Sequence, residues 1–133
     1  MSRPDLFDRI ASDPFAQTLG IRLEEVSPGY ARTSMRAGPE LANFHGTLHG
    51  GAIFALADTA FAAASNSHGV PAVALAMEIQ YLAAGRPGTL LVAEATEEDC
   101  RRRTALYRIA VRETESGRLL ALLHGRVFRE AQA

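Results

Sequence analysis

Residues 45–64 read HGTLHGGAIFALADTAFAAA, and the fold follows from how this stretch is interpreted. From Gly50 to Ser67 the apolar residues recur at helical spacing, with Ile53, Phe54, Ala57, Phe61 and Ala64 on one stripe, so a long helix is expected there. It is the only long helical pattern in the chain. Two histidines and a Gly-Gly pair precede it, and within it stands a single carboxylate, Asp58. A charge beside an apolar stripe is costly unless it is paired or used.

Outward from the helix, the pattern changes to strands on both sides. Before it, residues 21–26 and 30–37 alternate, with Ala31, Thr33 and Met35 on one face, and Ser27-Pro28-Gly29 between them reads as a hairpin turn. After His68-Gly69 come VPAVALAMEIQYLAA, TLLVAEATEED, TALYRIAVRE and RLLALLHGRVFRE, separated by Gly85-Arg86-Pro87-Gly88, an arginine run and Ser116-Gly117. These read as four further strands. Residues 4–19 form a short helical segment broken at Pro14. The expected class is therefore α+β, one long helix on a six-stranded antiparallel sheet, in a single domain over residues 1–133. The last strand is apolar on both faces from Leu119 to Leu123, which points to contact with another subunit.

Composition narrows the partners. Fourteen Lys plus Arg against fifteen Asp plus Glu leave a net charge of −1, without the basic excess of a protein that tracks nucleic-acid phosphates. The N-terminal residues mix charge and proline, and no window has the length of a membrane span, so a cytoplasmic protein with no membrane partner is expected. Cys100 is the only cysteine, which excludes an intrachain disulfide, and its neighbours Asp99 and Arg101 give no clear push toward thiolate. It reads as a minor strand residue.

Gly50 and Gly51 open the helix and so present bare backbone N–H groups at the positive end of its dipole, where an oxyanion can be held. The bland alternative is a tight turn, just as Asp58 alone could be a solvated helix carboxylate. Spacing joins the two features. Eight residues of helix separate Gly50 from Asp58, a rise of about 12 Å, so one carbonyl cannot touch both within one helix. If both act on one substrate, they come from two helices, most simply two antiparallel copies about a two-fold axis, with two composite sites per homodimer.

The run Asn43-Phe44-His45-Gly46-Thr47-Leu48-His49-Gly50-Gly51, followed by Leu56-Ala57-Asp58-Thr59-Ala60-Phe61 and Asn66-Ser67, resembles the signature of hot-dog-fold acyl-CoA thioesterases of the PaaI-like, phenylacetate-degradation branch. The resemblance continues through YLAAG, RRRTALYRIAVRE and LALLHGRVFR, so it covers nearly the whole chain. It implies hydrolysis of an acyl-CoA thioester to acid and free coenzyme A, without metal or other cofactor, by dimers that often pair into a homotetramer. It also implies that the Gly50 N–H polarises the thioester carbonyl and that Asp58 of the facing subunit is nucleophile or general base. Asn43 would orient the thioester or water, and His49 would shape the loop and hydrogen-bond Asn43. Gly51, Phe54, Phe61 and Tyr81 are the candidate acyl contacts, with the Phe54/Phe61 pair read either as pocket lining or as core. Where the family often has Arg-Pro, this chain has Ala83-Ala84, so Arg86 or the Arg101–Arg103 run, Arg103 in particular, are candidates for the coenzyme A phosphates.

Other chemistries fit less well. His45 and His49 are four apart with Asp58 downstream, a spacing that on a helix could hold zinc, but the glycines around them oppose a helix and no clear third ligand appears. Ser65 and Ser67 lack the Gly-x-Ser-x-Gly turn of a serine hydrolase and read as the helix end, with Gly69 as its cap. His124 reads as structural. A hot-dog hydratase or dehydratase would use a loop histidine, but its usual His-Phe-Pro-Gly order is absent. A non-catalytic acyl-CoA-binding protein of the same fold is the remaining alternative.

Overall fold

The computed structural model describes residues 3–130; residues 1, 2 and 131–133, the ends of the expected domain, lie outside the described residues. The N-terminal segment is two helices, α1 (Arg3–Ala11) and α2 (Pro14–Leu19). The break has a cause on each side. Pro14 takes the first helical position of α2, where its missing N–H costs nothing, and Asp13 caps that helix by accepting from the Ala16 N–H at 2.9 Å.

The long helix α3 spans Gly50–Asn66. The strands are β1 (Arg22–Ser27), β2 (Tyr30–Arg36), β3 (Ala72–Tyr81), β4 (Leu90–Cys100), β5 (Thr104–Glu113) and β6 (Leu119–Arg129). They form one antiparallel sheet in the order β1-β2-β4-β5-β6-β3. The helix lies between β2 and β3 in sequence, so β3 reaches the sheet only at its far edge, beside β6. Asn66 fastens this crossing, because its Oδ1 accepts from the Ala72 N–H at 2.9 Å while its Nδ2 donates to the Ala62 and Ala72 carbonyls. Ser67 fastens the other side: its hydroxyl donates to Ala64 O and accepts from the Gly29 N–H in the β1–β2 turn.

The last strand, β6, is not an outer surface but an inner strand between β5 and β3, with Leu120, Ala121 and Leu123 buried. Four of the exposed large apolar side chains are on and beside the edge strand β3, Val73 (65%), Leu75 (53%), Tyr81 (52%) and Leu82 (55%), while Phe128 (40%) is on β6 and Phe15 and Phe44 lie before α3. Within one chain the apolar run on both faces is that of an interior strand, and its neighbour β3 carries more of the exposed apolar surface.

The core sits between α3 and the concave face of the sheet. The helix contributes mainly small side chains, among them Ala57, Ala60, Ala63 and Ala64, all fully buried, so its axis comes close to the strands. Phe61 is the large exception. Its ring meets Tyr107 edge-on at 5.9 Å between centroids and lies over Gly125, where an added Cβ would stand 2.7 Å from the ring. Gly125 is thus required by close approach, not by its backbone angles. Gly125→Ala is expected to destabilise the fold by about 1–3 kcal/mol through overpacking, read as a lower denaturant midpoint; an unchanged midpoint would mean that the helix is not seated as described.

Candidate active site

The segment before α3 is a tight loop that Asn43 organises. Its Oδ1 accepts from the His45 and Thr47 N–H groups, at 2.9 and 3.2 Å, and its Nδ2 donates to Thr47 Oγ1 at 3.0 Å. The loop is held on two sides, by Leu48 N–H to Gly85 O at 3.1 Å and by His49 N–H to Leu41 O at 2.8 Å. The hydrogen bond between Asn43 and His49 that the resemblance implies is absent among the described residues. His49 instead caps α3: its Nδ1 accepts from the Gly51 N–H at 2.8 Å, which assigns the ring proton to Nε2. That nitrogen is therefore unavailable to a metal shared with His45.

The consequence falls on the glycine pair. With the Gly51 N–H taken by His49, Gly50 offers the N–H at the very start of the helix, a position that has no acceptor within the helix. Tyr81 stands directly against it. The phenol donates to Gly50 O at 3.0 Å, and a Cβ on Gly50 would lie 3.3 Å from the ring. The structure therefore brings Asn43, His49, Gly50, Gly51 and Tyr81 together at one end of the sheet.

Asp58 lies two turns further along α3, on the flank opposite the core. It is exposed, and Phe54, one turn earlier, is half-buried on the same side. The expected stripe thus divides: Ile53, Ala57, Phe61 and Ala64 face the sheet, whereas Phe54 stands with Asp58. Phe61 belongs to the core, the second of its two readings, with 2% exposure. Asp58 lines a pocket of about 330 Å³ that it shares with Leu6, Arg9, Ile10 and Asp13 from the N-terminal segment. The surrounding protein desolvates its carboxylate and so raises its pKa above the ordinary carboxylate value, and the charge of Asp13 adds to the rise. A raised pKa makes the ionised form a stronger base.

Alternation along the sequence reaches one functional group that motif reading passed over. Ala105, Tyr107, Ile109 and Val111 face inward along β5, and the next residue in that register is Glu113. Its side chain is only 2% exposed. Arg86 grips it with two hydrogen bonds, Nε to Oε2 at 3.1 Å and Nη2 to Oε1 at 2.7 Å, and Arg118 and Ser116 add 3.2 and 2.9 Å contacts to Oε1. These bonds, with Arg86 foremost, hold the carboxyl pKa down at about 2 despite desolvation. Arg118 also donates to Ala84 O, so Glu113 anchors the 83–88 loop that carries Gly85, the residue bonded to Leu48.

The candidate arginines part company here. Arg86 is committed to Glu113 but remains 60% exposed beside a cavity of about 470 Å³ that Arg36 also lines. Arg103 lies exposed in the β4–β5 turn, where its carbonyl accepts from the Arg129 N–H. Arg129 pairs with Ala72, nine residues and about 30 Å of strand from Tyr81, so one chain does not bring Arg103 and Arg86 together. A further apolar hollow was not read from the sequence. It measures about 300 Å³ and lies beside Gly51, lined by Phe15, Leu19, Leu41, Ala42 and Ala52.

Residues 45–121 match the sequence model of the thioesterase superfamily. The chain belongs to that superfamily. Acyl-coenzyme A thioesterase PaaI of Escherichia coli is 36% identical over 118 residues, covering 89% of this chain and 84% of that protein. Its solved structure superposes with a TM-score of 0.87 at 35% identity, over 92% of this chain and 88% of the other. A mutant of the phenylacetic acid degradation protein PaaI from Thermus thermophilus gives 0.85 at 42% identity, over 89% and 100%. The helix on a six-stranded sheet is accordingly the hot-dog fold, and this thioesterase-superfamily chain is a thioester hydrolase. Among the described residues no helix is long and apolar enough to cross a membrane.

The Glu113 network makes a separable prediction. Glu113→Gln leaves two guanidinium groups without their carboxylate and should lower stability by about 1–3 kcal/mol at neutral pH. Because the folded pKa of Glu113 is depressed, its contribution is present above the ordinary carboxylate value and is lost as pH falls toward 2. The gap between wild-type and variant unfolding midpoints should therefore narrow on acidification; a gap independent of pH would rule out the charge as its cause.

Proposed function

We propose that this thioesterase hydrolyses an acyl-CoA in composite sites of a homodimer, with the Gly50 N–H of one subunit polarising the thioester carbonyl and Asp58 of the partner subunit driving the attack. Water adds its oxygen to the carbonyl carbon, coenzyme A leaves as the thiol, and the products are the carboxylic acid and free coenzyme A. Asp58 acts either as general base toward that water or as the first nucleophile. Asn43 holds the loop that aims the Gly50 amide, and His49 does so by occupying the neighbouring amide of Gly51. No metal or other cofactor takes part in this chemistry.

The observation that carries this reading is the separation of the two groups in one chain. Gly50 stands at the helix start against Tyr81, whereas Asp58 opens two turns away on the outer flank. The exposed apolar residues of β3 support a second copy, because the strand that needs covering is the one whose Tyr81 touches Gly50. Pairing of two such dimers would give the homotetramer. The acyl group is aromatic or medium-chain, phenylacetyl being the form suggested by the names of the two PaaI relatives and hydroxyphenylacetyl its ring-hydroxylated counterpart. Phe54 and Tyr81 supply apolar contacts, and the hollow by Gly51 with Phe15 and Leu19 offers room beside the polarising amide. Arg86 and Arg36 favour the cavity near Glu113 for phosphate, while Arg103 would have to come from the other subunit. A coenzyme A ester as substrate fits a cytoplasmic enzyme.

Thiol release from a panel of aromatic and straight-chain acyl-CoAs tests the activity and ranks the acyl groups. Asp58→Asn should lower kcat by orders of magnitude without loss of folding, Asn43→Ala by a smaller factor, and His45→Ala hardly at all. Substantial turnover by folded Asp58→Ala protein would overturn the assignment, and a chelator should leave hydrolysis unchanged.

Composite sites make a stronger demand. Gly50→Pro removes the N–H donor and Asp58→Asn the carboxylate, so each homodimer should be nearly inactive. Refolded together in equal amounts, half of the dimers are mixed, and each mixed dimer owns one site with both groups intact. Activity should return to roughly a quarter of wild type. Properly assembled mixed dimers as inactive as their parents would place both groups in the same subunit's site.

A further inference from the structure

At the end of the sheet away from Gly50, three side chains of different chemistry converge. His68 Nε2 lies 2.8 Å from Glu97 Oε1, and Cys100 Sγ completes a group whose ligand-type atoms all lie within 4.8 Å of one another. Glu97 and Cys100 are three apart on β4, a spacing that places side chains on opposite faces of a regular strand. A bulge changes this. Glu97 pairs with Tyr107, Asp99 with Leu106 and Cys100 with Ala105, so Glu98 is the extra residue, and Cys100 turns onto the face of Glu97. His68 reaches the same place from the turn that follows α3.

We propose that His68, Glu97 and Cys100 bind one divalent transition-metal ion of the zinc class, at a site separate from the hydrolytic one. An imidazole nitrogen, a carboxylate oxygen and a sulfur are the ligand types zinc takes, and the exposure of Cys100 leaves a way in and an open fourth position. Tyr107 donates to Glu97 Oε1 at 3.0 Å and so holds the carboxylate from behind. Charge also balances, since a dication, one thiolate, one carboxylate and a neutral imidazole sum to zero beside Arg129.

On binding, the Cys100 S–H bond breaks, a sulfur–metal bond forms and one proton leaves to solvent for each ion taken up. The ion replaces the direct His68–Glu97 contact with a bond to each of them. The 17 residues of α3 put about 25 Å between this site and Gly50, so the metal ties the end of α3 to β4 and does not enter the hydrolysis.

Cobalt(II) is the probe, added to the reduced full-length protein after chelator treatment. The expected result is one ion per chain with thiolate-to-cobalt charge-transfer absorption, displaced by zinc. Cys100→Ser should abolish that band and leave thioester hydrolysis at its wild-type rate, and His68→Gln and Glu97→Gln should each weaken binding at least tenfold. Cys100→Ala serves equally if the serine variant folds poorly. Absence of the band while thiol titration shows Cys100 reduced, or undiminished cobalt binding by the His68 and Glu97 variants, would overturn the proposal.

Discussion

The close seating of α3 on the sheet is the constraint from which the rest follows. Alanines at the contact let the helix axis approach, and Phe61 over Gly125 fixes how far along the sheet it sits. Once the helix is held so tightly, its inner side has no room for a charge, and a carboxylate can stand only on the outer flank. Asp58 occupies that flank. The same seating fixes the direction in which the helix start points, so the Gly50 N–H is aimed by packing many residues away from it.

Aim at the helix start is then refined by contacts that do not belong to the helix. Leu48 is tied to Gly85, the phenol of Tyr81 donates to Gly50 O, and the loop bearing Gly85 is tied through Arg86 and Arg118 to the buried Glu113. A developing oxyanion is stabilised by donors already in place, because a donor that must reorganise loses part of its effect. The loop order set by Asn43 and the cap made by His49 serve the same end. They consume the hydrogen-bonding capacity of the neighbouring groups and leave the first amide of the helix for a ligand.

Much of this was legible from periodicity. The hairpin of residues 21–37, the helix from Gly50, the four later strands and the break at Pro14 all follow from patterns of apolar residues and turn formers, since these act over a few residues. The position of β3 at the sheet edge was not legible, because strand order depends on how the crossing after α3 is routed, and neighbouring residues say little about that. Within the site, Gly50 and Asp58 stood out by type and spacing, and Asn43 and His49 by resemblance to the family signature, but their bonds did not. A histidine can bond to an asparagine or cap a helix with the same sequence around it, and only the loop conformation selects the second. Glu113 was within reach: alternation along β5 puts it on the inner face, and an inward carboxylate requires a partner such as Arg86.

Two carboxylates in this chain are moved in opposite directions, and the contrast separates the parts of the molecule. Glu113 is held ionised by hydrogen bonds, so its charge contributes stability above the ordinary carboxylate pKa. Asp58 is held toward its neutral form by desolvation and by Asp13, so its folded-state preference favours the fold below the ordinary value and is lost as pH rises through the raised pKa. At neutral pH the ionised Asp58 therefore works against folding while Glu113 works for it. Such a cost, on a helix flank that could have carried a fully solvated side chain, fits the role proposed above for Asp58. Removing the Asp58 charge should then stabilise the protein at neutral pH as it abolishes turnover, a pairing of effects that a merely structural aspartate would not show.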